Sequence, residues 1–242
     1  MWYKLKRILI YPDGVTEKQV RPKTWQPWSN TLLYCPLKDD ILDHSWNSYT
    51  ITQSWTITKS DIGYQFGSNW RSYLSTPSLS LDGVTDLTVC FWQYVTTVPS
   101  SSHIMVSKYV WYNSSPWVCF NFWMYNHSDW WYWHKMLFMI WNTSATLKEY
   151  YSTNDPLWWW KLITGTLSSW TMKLYINWTL DGSVSSVWTF KKVNSPIYIW
   201  AYQGTNNEYL VWKLSKVIIE NKARTAQEIS DYYNQTKANY WL

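Results

Sequence analysis

The chain has 242 residues, room for one large domain, or for one domain and an arm, at roughly 150 residues per domain. With 46% hydrophobic and 15% charged residues it has the material for a full core, while a net charge of +5 is too slight to be the footprint of a nucleic-acid binder. No apolar run approaches the ~18 residues of a membrane span, and the basic start at Lys4, Lys6 and Arg7 leads into an apolar run that stops at Pro12 and Asp13, so neither membrane insertion nor a secretion signal is expected.

In chain order, Lys4 to Tyr11 and Val15 to Val20 read as two strands around Pro12-Asp13-Gly14, residues that favour a turn. Arg21 to Asn30, with Pro22 and Pro27, is an irregular connector. Residues 1–31 are therefore expected to be a basic hairpin arm with its connector, and residues 32–242 the domain proper. Two roles stay open for the arm: self-assembly, by adding a strand to a neighbouring subunit, or covering an edge of its own sheet.

From Leu32 onward the texture is short β-prone runs: Leu32–Leu37, Tyr64–Phe66, Leu87–Val95, His103–Tyr109, Val118–Tyr125, Met136–Ile140, Leu157–Thr166, Met172–Ile176, Ile197–Ile199 and Lys213–Ile219. Turn residues separate them and no helical period intervenes, so the expected fold class is all-β, a two-sheet antiparallel jelly-roll sandwich. Trp92, Val89, Phe91, Ile104, Phe120, Leu174, Ile176, Val217 and Ile219 are the expected core. Only the end changes period. Thr225 as N-cap, Glu228 three residues on, and Ile229, Tyr232 and Tyr233 on one face predict a terminal helix over Thr225–Asn239. Cys35, Cys90 and Cys119 are odd in number and sit in apolar runs, which fits buried free thiols rather than a disulfide framework or a metal site.

The segment from Lys213 through Thr225 and the following helix resembles the closing strand and helix of laminin G-like, concanavalin A-like lectin/glucanase jelly-roll domains. Other pieces agree in order. Asp43-His44-Ser45-Trp46-Asn47 resembles Asp-x-Ser-Gly-Asn; Phe66-Gly67-Ser68-Asn69 through Thr76-Pro77 resembles a Phe-x-Gly segment ending in Pro. Leu87 to Trp92 resembles a strand ending Ser-Phe-Trp, Trp160 to Thr166 resembles Trp-His-His-Val-x-Gly-Thr, and Lys173 to Trp178 resembles Leu-Tyr-Ile-Asn-Gly. The likeness spans Leu32 to Asn239 and leaves the arm outside.

The departures have a pattern. Trp46, Trp70, Trp178, Trp200 and Trp212 stand where the family pattern or its close variants have Gly, in a chain with 23 Trp and only 7 Gly, about 3% against a usual ~7%. Asn177-Trp178 falls where a two-residue primed turn wants Asn-Gly with both residues at positive φ. These departures imply an alternative genetic code: the source reads UGA as Gly, and the codon has been rendered here as Trp. Trp55, Trp141 and Trp170 are further candidates, while Trp92 and Trp160 fit the family as Trp. The other reading is a chain truly rich in Trp.

The resemblance brings hydrolases into view, since laminarinase-type relatives carry Glu-x-Asp-x-x-Glu on one sheet face. Glu17, Glu149, Glu208, Glu220 and Glu228 have no carboxylate two positions away, so a non-enzymatic chain is expected. His44, His103, His127 and His134 lack zinc-ligand spacing, and no residue set suggests a bound cofactor. Family members sometimes bind calcium. Asp39, Asp40 and Asp43 are the candidate ligands, but calcium is not favoured, because Ser215 and Lys216 stand where calcium-binding relatives carry an acidic pair and Asp43 is suited to cap its own turn. For ligand contact the candidates are Tyr109, Trp111, Tyr112, Trp130, Trp131, Tyr132 and Trp133, exposed-type aromatics in loop-like segments that suit sugar or protein surfaces, with His127 and Asp129 nearby. The resemblance implies a recognition or adhesion module for glycan or a surface protein; such a fold usually works outside the cell, and with no secretion signal expected, display on a virus particle or cell-surface assembly is the expected setting. A purely structural virion protein is the second reading, and a glycoside hydrolase with an unrecognised site the third.

Overall fold

A computed structural model describes residues 30–38, 40–54, 57–66, 72–81, 84–95, 103–109, 118–125, 135–141, 146–185, 194–199 and 212–242. The expected hairpin arm lies outside these residues. The strands in chain order are β1 Thr31–Cys35, β2 Thr52–Ser54, β3 Ile57–Lys59, β4 Tyr64–Phe66, β5 Tyr73–Ser75, β6 Leu87–Val95, β7 His103–Tyr109, β8 Val118–Tyr125, β9 Lys135–Trp141, β10 Leu147–Tyr151, β11 Trp160–Ser168, β12 Thr171–Ile176, β13 Thr179–Val184, β14 Ile197–Ile199 and β15 Trp212–Glu220. Helix α1, Ala226–Thr236, and a 3-10 turn, Lys237–Tyr240, follow.

All the strands pair antiparallel in two sheets. One has the order β13-β12-β11-β6-β15-β4-β3, with β1 also on β15; the other has the order β10-β9-β8-β7-β14-β5-β2. The jelly-roll sandwich read from the sequence is thus the architecture. Between the sheets Phe91 meets Phe122 edge to face at 5.4 Å and Phe122 stacks on Phe138 at 4.5 Å. A Cβ on Gly165 would lie 2.3 Å from the Phe122 ring, so the residue must be glycine for the sheets to close. Every expected core residue is buried.

Leu87–Val95 reads as a nearly continuous apolar run because β6 is covered on both faces. Val89 and Phe91 face the second sheet, whereas Cys90 and Trp92 join Trp160, Leu162 and Ile218 under Tyr232, Tyr233 and Tyr240 of the C-terminal segment. The helix begins as its sequence predicts: the Thr225 side chain accepts from Glu228 N–H, and the Glu228 carboxylate accepts from Thr225 N–H at 2.8 Å. Its end differs. The α-helix stops at Thr236 and tightens to 3-10 geometry, which brings Tyr240 inward.

Three expectations change in detail. β11 begins at Trp160 rather than Leu157, because Trp158 and Trp159 have φ of 52° and 72°, a left-handed backbone that cannot continue a strand. β15 carries a bulge at Lys216, φ 49°, whose N–H donates to Pro36 O; the bulge divides the edge of β15 between β4 before it and β1 after it. At the β12–β13 turn only Asn177 is left-handed, φ 59°, and Trp178 is not. The Asn177 Oδ1 accepts from Leu162 N–H at 3.1 Å and its N–H donates to Leu162 O at 2.7 Å, which extends the β11 ladder into the turn.

Candidate functional site

Strand polarity sorts the connections onto two rims of the sandwich. Phe66, Val95, Tyr125, Tyr151, Ile176 and Ile199 end their strands at one rim, where Tyr73, His103, Lys135, Trp160, Thr179 and Trp212 begin theirs. Segments 67–72, 96–102, 126–134, 152–159, 177–178 and 200–211 are launched from that rim, and 76–86, 110–117, 142–146, 169–170 and 185–196 from the other. In sandwiches, binding surfaces are commonly built from such connections, because the packed strands fix where the loops start.

Segment 152–159 is held to both sheets, Ser152 N–H donating to Met136 O of β9 at 2.8 Å. The Gln93 side-chain amide donates to Pro156 O at 3.2 Å, Trp158 N–H donates to Val95 O at 3.2 Å, and Leu157 N–H donates to Asp155 Oδ1 at 2.8 Å. Asp181 of β13 gathers the start of the segment, accepting from Thr153 N–H at 2.7 Å and Asn154 N–H at 2.9 Å and from both their side chains. Tyr150 donates to Asp181 O at 2.8 Å. Burial alone would raise the Asp181 pKa, but these hydrogen bonds hold it below the ordinary carboxylate value. With both ends tied, Leu157 is buried while Trp158 and Trp159 face solvent. Trp160 turns inward to Tyr94, 5.6 Å, and Tyr240, 4.8 Å. Lys213 lies 6.0 Å from the Tyr94 ring and 3.5 Å from Asp61, placing a cation on the same rim.

The seven sequence candidates sit at or on segments whose flanking strand ends lie at different rims. Tyr109 closes β7; its side chain, together with Trp111, Tyr112, Trp130, Trp131, Tyr132 and Trp133, lies outside the described residues, as do His127 and Asp129. Yet 110–117 enters β8 at Val118 and 126–134 leaves it at Tyr125, and the eight residues of that strand separate these points by ~27 Å. The segment of Trp130, Trp131, Tyr132 and Trp133 thus starts from the rim of Trp158 and Trp159, and that of Trp111 and Tyr112 from the opposite one. Sequence reading passed over Trp158, Trp159 and Asp181. Asp155-Pro156 is a turn signal that marks the segment, but the apolar run after it resembles a strand.

The two described metal candidates, Asp40 and Asp43, have other work. The Asp43 carboxylate accepts from Tyr34 N–H at 3.0 Å, Ser45 N–H at 2.8 Å, Tyr49 N–H at 2.9 Å and Ser45 Oγ at 2.8 Å, and Asn47 Nδ2 donates to Leu32 O at 3.0 Å. The Asp43–Asn47 motif therefore fastens its loop to β1, the capping role expected for Asp43. Asp40 lies 2.9 Å from His44 Nε2, and Asp39 is outside the described residues. Among the described residues no three His, Cys, Asp or Glu side chains converge. Cys35, Cys90 and Cys119 are buried free thiols, with burial pushing Cys90 and Cys119 up to about 12. The described glutamates are Glu220, paired with Arg224; Glu228, in the helix cap; and Glu149, on edge strand β10. Among the described residues no helix is long and apolar enough to cross a membrane.

The family model described as concanavalin A-like lectin/glucanases superfamily, of laminin G type, matches residues 67–230. No curated protein sequence matches the chain. Similar solved structures include the binding domain of paraclostridial mosquitocidal protein 1, with TM-score 0.69, 15% identity, and coverage of 85% of this chain and 52% of that one. A structure of botulinum neurotoxin type C, whose cell entry depends on interaction with two ganglioside molecules, has TM-score 0.65, 14% identity, and coverage of 85% and 51%. The botulinum neurotoxin serotype D ligand-binding domain in complex with N-acetylneuraminic acid has TM-score 0.66, 16% identity, and coverage of 85% and 51%. The chain spans about half the length of these structures, and at such identities the likeness is one of fold.

Proposed function

Because the chain belongs to the concanavalin A-like lectin/glucanases superfamily, we propose that it is a non-catalytic recognition module that binds glycan through the rim bearing segments 126–134 and 152–159. The observation that carries this reading is strand polarity: connections from both sheets start at that rim, and one of them contains Trp130, Trp131, Tyr132 and Trp133. Flat aromatic faces stack on sugar rings with little loss of side-chain freedom. The solved structures of similar fold include a neurotoxin whose cell entry depends on gangliosides and a ligand-binding domain in complex with N-acetylneuraminic acid, which favours sialylated glycans as the first to try. A surface protein is the alternative ligand.

A glycan array with the purified chain tests the proposal, with Tyr132→Ala on this rim compared with Tyr112→Ala on the other. Binding lost in the first variant and kept in the second is expected; binding lost only in the second moves the site to the opposite rim, and an array without binders removes the glycan reading. Display on a virus particle or cell-surface assembly is the finer part of the proposal. Its support is the basic hairpin character of residues 4–20, and its test is whether the full chain self-associates in solution while a chain lacking residues 1–29 stays monomeric.

A further inference from the structure

We propose that Trp158, Trp159, Trp170 and Trp241 are glycines in the protein as its source organism makes it, UGA being read there as glycine. Nine residues other than glycine have positive φ among the described residues, and four of them are these tryptophans, with φ of 52°, 72°, 65° and 59°. Asparagine visits this region readily; a bulky indole is an outlier there, because the Cβ crowds the neighbouring carbonyl.

At Trp170 and Trp241 the local geometry also asks for glycine. Ser168 pairs with Thr171 across the β11–β12 hairpin, so Ser169 and Trp170 are a two-residue loop, and both have positive φ, 46° and 65°. That is the primed turn whose second central position favours glycine. Trp241 follows the terminal 3-10 turn in the left-handed conformation, the position where helices end on glycine. Trp158 and Trp159 place two left-handed residues in succession between Leu157, which is buried, and the first residue of β11.

Burial separates the same residues. Trp158, Trp159, Trp170 and Trp241 are 51%, 72%, 61% and 76% exposed, whereas Trp92 and Trp160 are buried in the aromatic layer under the helix. Glycine's two uses are likewise divided. Gly63, Gly165 and Gly182 stand where a Cβ would collide with a neighbour, and none of the three has positive φ. The close-approach positions are written as glycine, and four of the left-handed positions as tryptophan. One codon between the two amino acids accounts for both the scarcity of Gly and the excess of Trp. Of the positions singled out by family resemblance, Trp70 and Trp200 lie outside the described residues, Trp212 begins β15, and Trp46 and Trp178 are exposed in turns without positive φ, so the backbone argument rests on Trp158, Trp159, Trp170 and Trp241.

The proposal has a consequence for ligand binding: Trp158 and Trp159 then supply no indole to the rim, and the aromatic contact surface falls to segment 126–134. Peptide mass spectrometry of the protein isolated from its source, together with the codons of its gene, decides the matter. Glycine masses and UGA codons are expected at positions 158, 159, 170 and 241, with tryptophan and UGG at 92 and 160. Tryptophan at any of the four overturns the proposal. In the protein produced with tryptophan throughout, Trp170→Gly is expected to raise Tm by roughly 2–4 °C, and a fall in Tm there counts against the turn argument.

Discussion

The ring of Tyr240 stacks on Trp92 with centroids 4.1 Å apart and planes 21° from parallel, which ties the last residues of the chain to the middle of a central strand. Tyr240 also touches Trp160 at 4.8 Å and donates its hydroxyl to Ser215 Oγ at 3.0 Å. Tyr240→Ala is expected to cost about 3–5 kcal/mol, as for other large aromatic truncations. Tyr240→Phe, which keeps the ring and loses one hydrogen bond, should cost about 1 kcal/mol. Urea unfolding of the two variants measures the difference; equal losses would show that the hydrogen bond, not the stack, holds the C-terminal segment.

Glu220 and Arg224 form a buried two-pronged ion pair, Nε to Oε2 at 2.5 Å and Nη2 to Oε1 at 2.9 Å. Burial opposes the guanidinium charge, but the hydrogen bonds to Glu220 keep the Arg224 pKa above its ordinary value. Glu220→Gln takes the opposing carboxylate charge from that buried cation and should lose about 3–5 kcal/mol. The double variant Glu220→Leu with Arg224→Met removes both charges and is expected to lose less than Glu220→Gln alone. A double-mutant cycle by chemical denaturation checks the order.

For Asp181 the direction with pH follows from its depressed pKa. The hydrogen bonds from Thr153 and Asn154 hold its folded value below that of an ordinary aspartate, so the folded chain binds the proton less well than the unfolded chain. Its stabilisation is complete above the unfolded pKa and is lost as pH falls through the folded one. Asp181→Asn should therefore lower stability at neutral pH by about 1–2 kcal/mol, allowing for its exposure, and the gap from wild type should narrow as pH falls below the ordinary aspartate range. Melting temperatures of both proteins across acid pH test this; a gap independent of pH would assign the effect to the amide's geometry rather than the carboxylate's charge.

At Asp43 the two oxygens already accept from three backbone amides and a hydroxyl. Asp43→Ala leaves those donors without their acceptor and should cost about 2–3 kcal/mol. Calcium added to the wild-type protein, or chelator, is expected to leave Tm unchanged. A calcium-dependent rise of several degrees, lost in Asp43→Ala, would instead make this loop a metal site.

Local pattern marked most of the long strands. The spans of β6, β7 and β8 are those read from apolar runs, and Thr225 with Glu228 marked the helix start, because these signals depend only on neighbours in the chain. Short strands such as β2, Thr52–Ser54, and β5, Tyr73–Ser75, lacked an apolar run to announce them. They exist because a neighbouring strand offers its backbone: Gln53 pairs with Leu74, and Leu74 with Ile199. The same holds for the site. Composition identified aromatics as the candidate ligand contacts, but the direction of β8 decided that Tyr112 and Tyr132 belong to segments launched from opposite rims. Alternation along a strand tells which face a side chain takes; which strand lies beside it, and so which loops share a rim, is set by hydrogen bonds between residues far apart in sequence. The left-handed backbone at Trp158 and Trp159 was equally hidden, since Leu157 to Thr166 reads as one apolar run and only the docking of Leu157, Trp158 N–H and Pro156 O onto β6 bends it. The sequence alone therefore determined the sandwich, its closing helix and the scarcity of glycine. The tertiary structure decided which tryptophans take a left-handed backbone, because φ at a turn is fixed by the two strands it must join.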